Sequence, residues 1–216
     1  MQYVRLKEFA IQHKKEWILM AITLISTAFL IVGFHFLPSL TSKINSANSS
    51  VPEEFLSARS RASDAANRIT GLTDTYVGSI EKIREAEKNG KFSLGLSLIL
   101  DEVNKNEEVR KAAEDLSVEL SNMAQHLGVI QPVKAAEVAL NAVTTGVELV
   151  QHLISYNNTT RDLLNTLQLR FSTGDDEATR AKIEKLISDM NREADVINSL
   201  GSEYRGLMLQ FDALTG

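Results

Sequence analysis

Two patterns of apolar residues divide the chain. Residues 17–37 read WILMAITLISTAFLIVGFHFL, with no formal charge at neutral pH (His35 neutral) and no polar face. Beyond residue 52, apolar residues instead recur every three or four positions between charged ones. The first pattern predicts a transmembrane helix. At about 1.5 Å per residue, such a run spans about 30 Å, the thickness of a bilayer core. Trp17, Leu24, Phe29, Phe34 and Leu37 are its anchoring residues; Trp17 sits at one edge, where an indole prefers the headgroups, and Pro38 marks the other end. A buried core helix fits less well, because a long run with no polar face is seldom soluble.

A cleavable signal peptide is the more serious rival. Its apolar region is usually shorter, about 7–15 residues, and ends at a small-residue site. The stretch Asn45-Ser46-Ala47 fits that site poorly, so the run reads as an uncleaved signal anchor. A type IV prepilin would need a small residue before the apolar run, where Lys14-Lys15-Glu16-Trp17 stands. Arg5, Lys7, Lys14 and Lys15 precede the span, whereas Lys43 alone lies close behind it. The positive-inside rule then predicts residues 1–16 in the cytoplasm and the remainder outside the cell membrane. Glu8 and Glu16 argue against a mitochondrial presequence. Thr23, Ser26 and Thr27 bond either to their own helix or to a neighbouring one.

Residues 38–51, rich in Ser and Asn, read as a flexible linker. From 52 to 216, punctuation divides the chain into four helices, at about 52–89, 93–127, 132–173 and 175–214. Pro52 and Pro132 can open helices, Ser93 and Asp175 or Asp176 can cap them, and Asn89-Gly90, Gly128 and Thr173-Gly174 can close them. Heptad rows run through each. The first carries Phe55, Ala62, Ile69, Tyr76 and Ile83, with Ala58, Ala65 and Leu72 beside them. The second carries Val109, Leu116 and Met123 with Ala113, Leu120 and Leu127. The third carries Val133, Leu140, Val147 and Ile154 with Ala136, Val143 and Val150. The fourth has three rows, led by Ile183, Leu186 and Ile187. Three adjacent rows make a face wider than a two-stranded seam needs, and short loops make successive helices antiparallel. The expected fold is therefore all-α: one transmembrane helix, then a long up-down-up-down four-helix bundle with coiled-coil-like packing.

Two places break the pattern. Residues 92–100, FSLGLSLIL, are apolar but too short to cross a bilayer. They read as a cap on the bundle end, or as an exposed tip in which Phe92, Leu94 and Leu96 touch a partner or a lipid surface. Residues 155–162, SYNNTTRD, put Asn157 and Arg161 on extended core rows, with Asn158 beside them. This stretch is locally unwound or exposed, a polar layer that fixes register, or a small-ligand pocket.

Composition then narrows the chemistry. The chain has no cysteine, which excludes disulfides, thiolate metal sites and a cysteine nucleophile. With 11 Gly and 3 Pro it is not a turn-rich all-β chain. From Ile44 onward there are 18 basic and 26 acidic residues, a net −8, which argues against nucleic acid as a partner. His13, His35, His126 and His152 lack metal-ligand spacing, and Asp175-Asp176-Glu177 reads as a helix start. No phosphate loop or nucleophile elbow occurs, so no catalytic, metal or cofactor residue is assigned and a non-enzyme is expected. Sequons at Asn48, Asn157 and Asn158 matter only in a lumen with glycosylation machinery.

In layout, a helical bundle behind an N-terminal anchor, the chain resembles bacterial LemA-type membrane proteins and the sensor half of chemoreceptors. The resemblance is one of plan, without a shared sequence motif. No second span or output domain follows residue 214, which departs from the chemoreceptor plan. The expected partners are the lipid bilayer and a protein partner or a second copy of the chain. The expected function is a non-enzymatic structural or protein-interaction module of a membrane or envelope complex. The alternative is an extracytoplasmic ligand-binding sensor or accessory subunit that signals through a partner membrane protein.

Overall fold

The computed structural model describes residues 50–216 except residue 175. The anchor residues Trp17, Leu24, Phe29, Phe34 and Leu37, the topology residues Arg5, Lys7, Lys14 and Lys15, and most of the linker lie outside the described residues. Among the described residues five α-helices follow in order: α1 (Glu53–Asp74), α2 (Tyr76–Lys88), α3 (Phe92–Gln125), α4 (Val133–Thr173) and α5 (Glu177–Thr215). A 3-10 turn, Leu127–Val129, lies between α3 and α4. Among the described residues no helix is long and apolar enough to cross a membrane.

The fold is a helical bundle of four rods, because α1 and α2 run on from one another. Thr75 interrupts them. Around it, Thr70, Thr73 and Thr75 each donate a hydroxyl hydrogen bond to a carbonyl three or four residues back, to Ala66, Ile69 and Leu72 among others. Such back-bonding competes with the backbone ladder and bends helices. The expected single helix over 52–89 is thus two segments. Its end is as read: Gly90 takes a φ of 65°, the amide of Gly90 donates to Glu87 O, and that of Lys91 to Ala86 O. This is the glycine-closed Schellman arrangement. At the start of α5, Asp176 accepts from the Thr179 amide at 2.7 Å. Ser93 caps nothing, since α3 begins at Phe92 behind Lys91.

α1 and α2 pack on α3, α3 on α4, and α4 most extensively on α5. The ring closes at one end, where the Phe55 and Phe211 rings lie 5.3 Å apart. Arg59 also forks onto Asp212 there, at 2.6 and 2.9 Å. Ser50 pairs with Gln131 at this same end, so successive rods alternate in direction. At about 1.5 Å per residue, α4 alone is about 60 Å long.

Two hydrophobic cores fill the bundle. The proximal core, at the end where the chain enters, holds Phe55, Leu116, Leu120, Met123, Leu149, Leu153 and Phe211. The distal core holds Ile80, Ile83, Ile99, Leu163, Leu164, Ile183 and Met190. The α5 rows led by Ile183 and Ile187 bury largely as expected, whereas Leu186, Leu200, Leu207 and Leu214 of the third row are half-buried. One row of α4 does not bury. Val133, Leu140 and Val147 are 63%, 52% and 39% exposed. The buried face of α4 is made by Ala135, Ala139, Ala142, Gly146, Leu149 and Leu153, together with Val143 and Val150 of the second expected row. The small residues bring α4 close to its neighbours, and the bulky row is turned outward.

Candidate functional site

Between the two cores lies a polar layer. Glu102 and Asn106 stand one turn apart on the inner face of α3, and Asn157 and Thr160 stand likewise on α4. Tyr76 enters from the first residue of α2, directly behind the Thr75 break. The Asn157 amide donates to the Asn106 carbonyl at 2.7 Å. Thr160 donates to the Tyr156 carbonyl at 2.9 Å. Glu102 is only 1% exposed. Its Oε1 accepts from Lys105 Nζ at 2.7 Å, and that lysine, about a third exposed, also reaches towards Thr75 and Ser79.

These residues surround a cavity of about 40 Å³, completed by Ile69, Leu72, Thr73, Val109, Leu153 and Tyr156. That is room for one or two water-sized groups. Three oxygens of the lining residues, each with almost no accessible area, meet no hydrogen-bond partner among the described residues: Tyr76 Oη, Glu102 Oε2 and Asn106 Oδ1. Buried polar atoms are nearly always paired, so three unpaired oxygens on residues of one layer set it apart from the apolar cores on either side. Burial, with Tyr156 and the Glu102 charge adding to it, pushes the Tyr76 hydroxyl well above the ordinary tyrosine range. Burial does the same for Tyr156.

The residues singled out in the 155–162 stretch separate. The helix runs through it without unwinding. Asn157 is buried in the layer, Asn158 faces solvent, and Arg161 lies on the surface with Glu107 at 3.0 Å. At the distal end Phe92 is 54% exposed and meets Phe171 edge-on at 6.1 Å. Leu94 is exposed beside it, whereas Leu96 is half-buried. Phe171 in turn covers Gly95, where no larger residue would fit. Phe92 is therefore part cap, part exposed tip.

Tyr76, Glu102 and Asn106 were not among the expected site residues. Carrying the α3 rows back by seven residues, from Val109 to Glu102 and from Ala113 to Asn106, puts both on the core face. That signal was present and is the one that singled out Asn157. Comparison with known protein families, curated proteins and solved structures gives no match. Among the described residues no group of three or more histidine or acidic side chains stands close enough to hold a metal ion.

Proposed function

We propose that this chain is a single-pass membrane-anchored helical bundle, with the N-terminus cytoplasmic and the bundle extracytoplasmic. It acts as a non-enzymatic interaction module of a membrane or envelope complex. One observation carries the interaction reading: the outward row Val133, Leu140 and Val147 on α4, continued by Val129, which is also exposed. An apolar row repeated over three heptads on a solvent face is costly to leave in water and is what a helical partner or a second copy would cover. The anchor reading rests on the charge-free run at 17–37 and its basic flank.

Crosslinking of the full chain in its membrane, followed by native mass measurement, tests the first part. The parent chain should be recovered in an assembly. Leu140→Asp and Val147→Asp should release it with the helix content unchanged, since both sites already face water. A parent chain that is monomeric and copurifies with nothing refutes the reading. The chain lacks cysteine, so Gln12→Cys and Ser49→Cys report topology cleanly. An impermeant thiol reagent on intact cells should label the second and spare the first.

A second reading, a ligand-binding sensor or accessory subunit, is favoured by the polar cavity between the cores. A sensor needs a site whose occupation is felt by more than one helix. This cavity is walled by α1, α2, α3 and α4 together.

A further inference from the structure

The outward row of α4 reads the same from either end. Val133, Leu140 and Val147 stand seven residues apart, with the larger side chain in the middle. Exposed Glu137 and Thr144 flank the row. Beyond them a second exposed row holds Lys134, Asn141 and Glu148, with opposite charges at its two ends. Residues seven apart fall on one side of a helix, so these positions form one strip about 20 Å long.

Such a strip complements itself only when reversed. Two copies of α4 can pack antiparallel, with a two-fold axis at the level of residues 140 and 141. Val133 then meets Val147 of the second copy, and the two Leu140 side chains meet each other. On the flank, Lys134 meets Glu148 of the second copy, and Glu137 meets Thr144. A two-fold contact is isologous, so each unlike pair occurs twice. Parallel packing in register instead sets Glu137 against Glu137 in the seam, where like charges repel.

The place where the chain enters the bundle agrees. Ser50 and Gln131 exchange backbone hydrogen bonds at 3.3 and 3.0 Å, two residues before Val133. The antiparallel pair therefore has both entry points near its centre, about 20–25 Å apart along the helix axis. Residues 38–49 reach at most about 40 Å, so the anchors proposed for both copies can enter one bilayer. The row also ends where the second copy would end. Its next positions are Ile154, which is half-buried, and Arg161, which pairs with Glu107.

We propose that this strip binds a second copy of the chain in antiparallel two-fold contact. The inference rests on the interaction reading above and narrows the partner to the chain itself. A strip one helix wide and about 20 Å long covers less than the roughly 1,200–2,000 Å² of a stable free complex. Assembly therefore depends on the shared membrane, which raises the effective concentration of both copies.

The chain has no cysteine, so a short thiol cross-linker applied to the full chain in its membrane reads the contact. Leu140→Cys should give a cross-linked dimer. Val133→Cys alone and Val147→Cys alone should not, because each thiol lies about 20 Å from its copy. Co-expressed, those two variants should cross-link to each other. Charge reversal on the Leu140→Cys background is the second arm. Lys134→Glu sets like charges against Glu148 at both ends and should cut the dimer yield several-fold; Glu148→Lys should do the same against Lys134. Co-expressed, the two reversed chains restore both unlike pairs, and their mixed dimer should return to the parent yield. Val133→Cys cross-linked to itself means parallel packing and overturns the proposal. A mixed pair that dimerises no better than either reversed chain also overturns it. So does the absence of a Leu140→Cys dimer. If the parent is then still recovered in an assembly that Leu140→Asp releases, the row binds a different protein and the interaction reading stands; if the parent is monomeric, both fall.

Discussion

Gly146 is the point where α4 is pressed hardest into the bundle. A Cβ added there would lie 2.8 Å from Leu120 Cδ2, 3.1 Å from Leu120 Cδ1 and 3.3 Å from Tyr204 Cε2. Leu120 is fully buried in the proximal core and has no solvent into which to swing. Gly146→Ala therefore forces the core apart, at a cost of about 1–3 kcal/mol. Against this, alanine in a helix interior is worth about 1 kcal/mol over glycine. The net is a destabilisation of up to about 2 kcal/mol. Gly201 and Gly206 on α5 provide the control, since a Cβ at either meets nothing within 4 Å. There only the propensity acts, and alanine should stabilise by up to about 1 kcal/mol. The assay is chemical denaturation followed by far-UV circular dichroism, with the slope unchanged among variants. Leu120→Val should cost less on the Gly146→Ala background than on the parent, because it removes the colliding methyl. If Gly146→Ala proves as stable as Gly201→Ala, the close seating of α4 through its small residues is wrong.

Three further outcomes follow from the same structure. Burial holds the hydroxyls of Tyr76, Tyr156 and Tyr204 above the ordinary tyrosine range. Groups raised in the folded state stabilise it below their unfolded value and lose that contribution as pH rises, so stability should fall from about pH 10 upward; ultraviolet titration should show these tyrosines ionising together with unfolding, and ionisation near pH 10 with the fold intact would contradict it. The Thr179 amide and hydroxyl hold the Asp176 carboxyl below its usual range, so its contribution is present above about pH 4 and fades as pH falls; Asp176→Ala should lower Tm at neutral pH, with the gap to the parent closing in acid. Asn157→Leu exchanges one buried hydrogen bond for apolar burial, leaving stability within about 1 kcal/mol; spin labels at Ser121 and Glu148 should then report a second, longer or shorter distance population, as a slide of about 10 Å, one heptad, along α4 requires, where the parent has one.

Much of this bundle is readable from residue spacing, and the misreadings have physical causes. Glycine and proline punctuation located four rod ends to within a few residues, because Gly90 and Gly174 occupy positive φ and Pro52 and Pro132 stand immediately before α1 and α4. Along α5 the row of Ile183, Met190, Ile197 and Phe211 is buried and the leucine row beside it half-buried, so pattern and packing largely agree. Along α4 they disagree. Val133, Leu140 and Val147 look like a core row by hydropathy, yet Ala135, Ala139, Ala142 and Gly146 are buried. Hydropathy weights large residues, whereas close helix approach selects small ones. The break at Thr75 has no glycine or proline at the site itself. It comes from threonine hydroxyls competing for carbonyls, which residue spacing does not display. The polar layer was half legible: Asn157 stands on an extended core row, but its counterparts Glu102 and Asn106 become visible only when α3 is read backwards from Val109.

The layer also explains why two cores can share one register. Along the middle of the buried face of α4 one line of positions steps 135, 139, 142, 146, 149, 153, then 157, 160, 164 and 167. The two consecutive steps of four at 149–157 are a stutter, which locally unwinds a heptad seam. The rod formed by α1 and α2 falters at the same level, where Thr75 separates them. A seam that loses its heptad phase loses the geometric signal that holds one helix against the next. Sliding α4 along α3 by one heptad would then cost little apolar contact, were every layer apolar. It would, however, set Asn157 opposite Ile99 or Ala113 instead of Asn106. The Asn157 amide bonds a backbone carbonyl, which Ile99 or Ala113 would also offer, so the cost falls on the α3 side chain instead: Asn106 would leave its polar surroundings to face Val150 or Leu164. Burying one polar side chain unpaired costs about 1–3 kcal/mol, which shifts the register equilibrium about fivefold to a hundredfold. The polar layer therefore holds the proximal and distal cores in one phase at the level where apolar packing alone specifies it least.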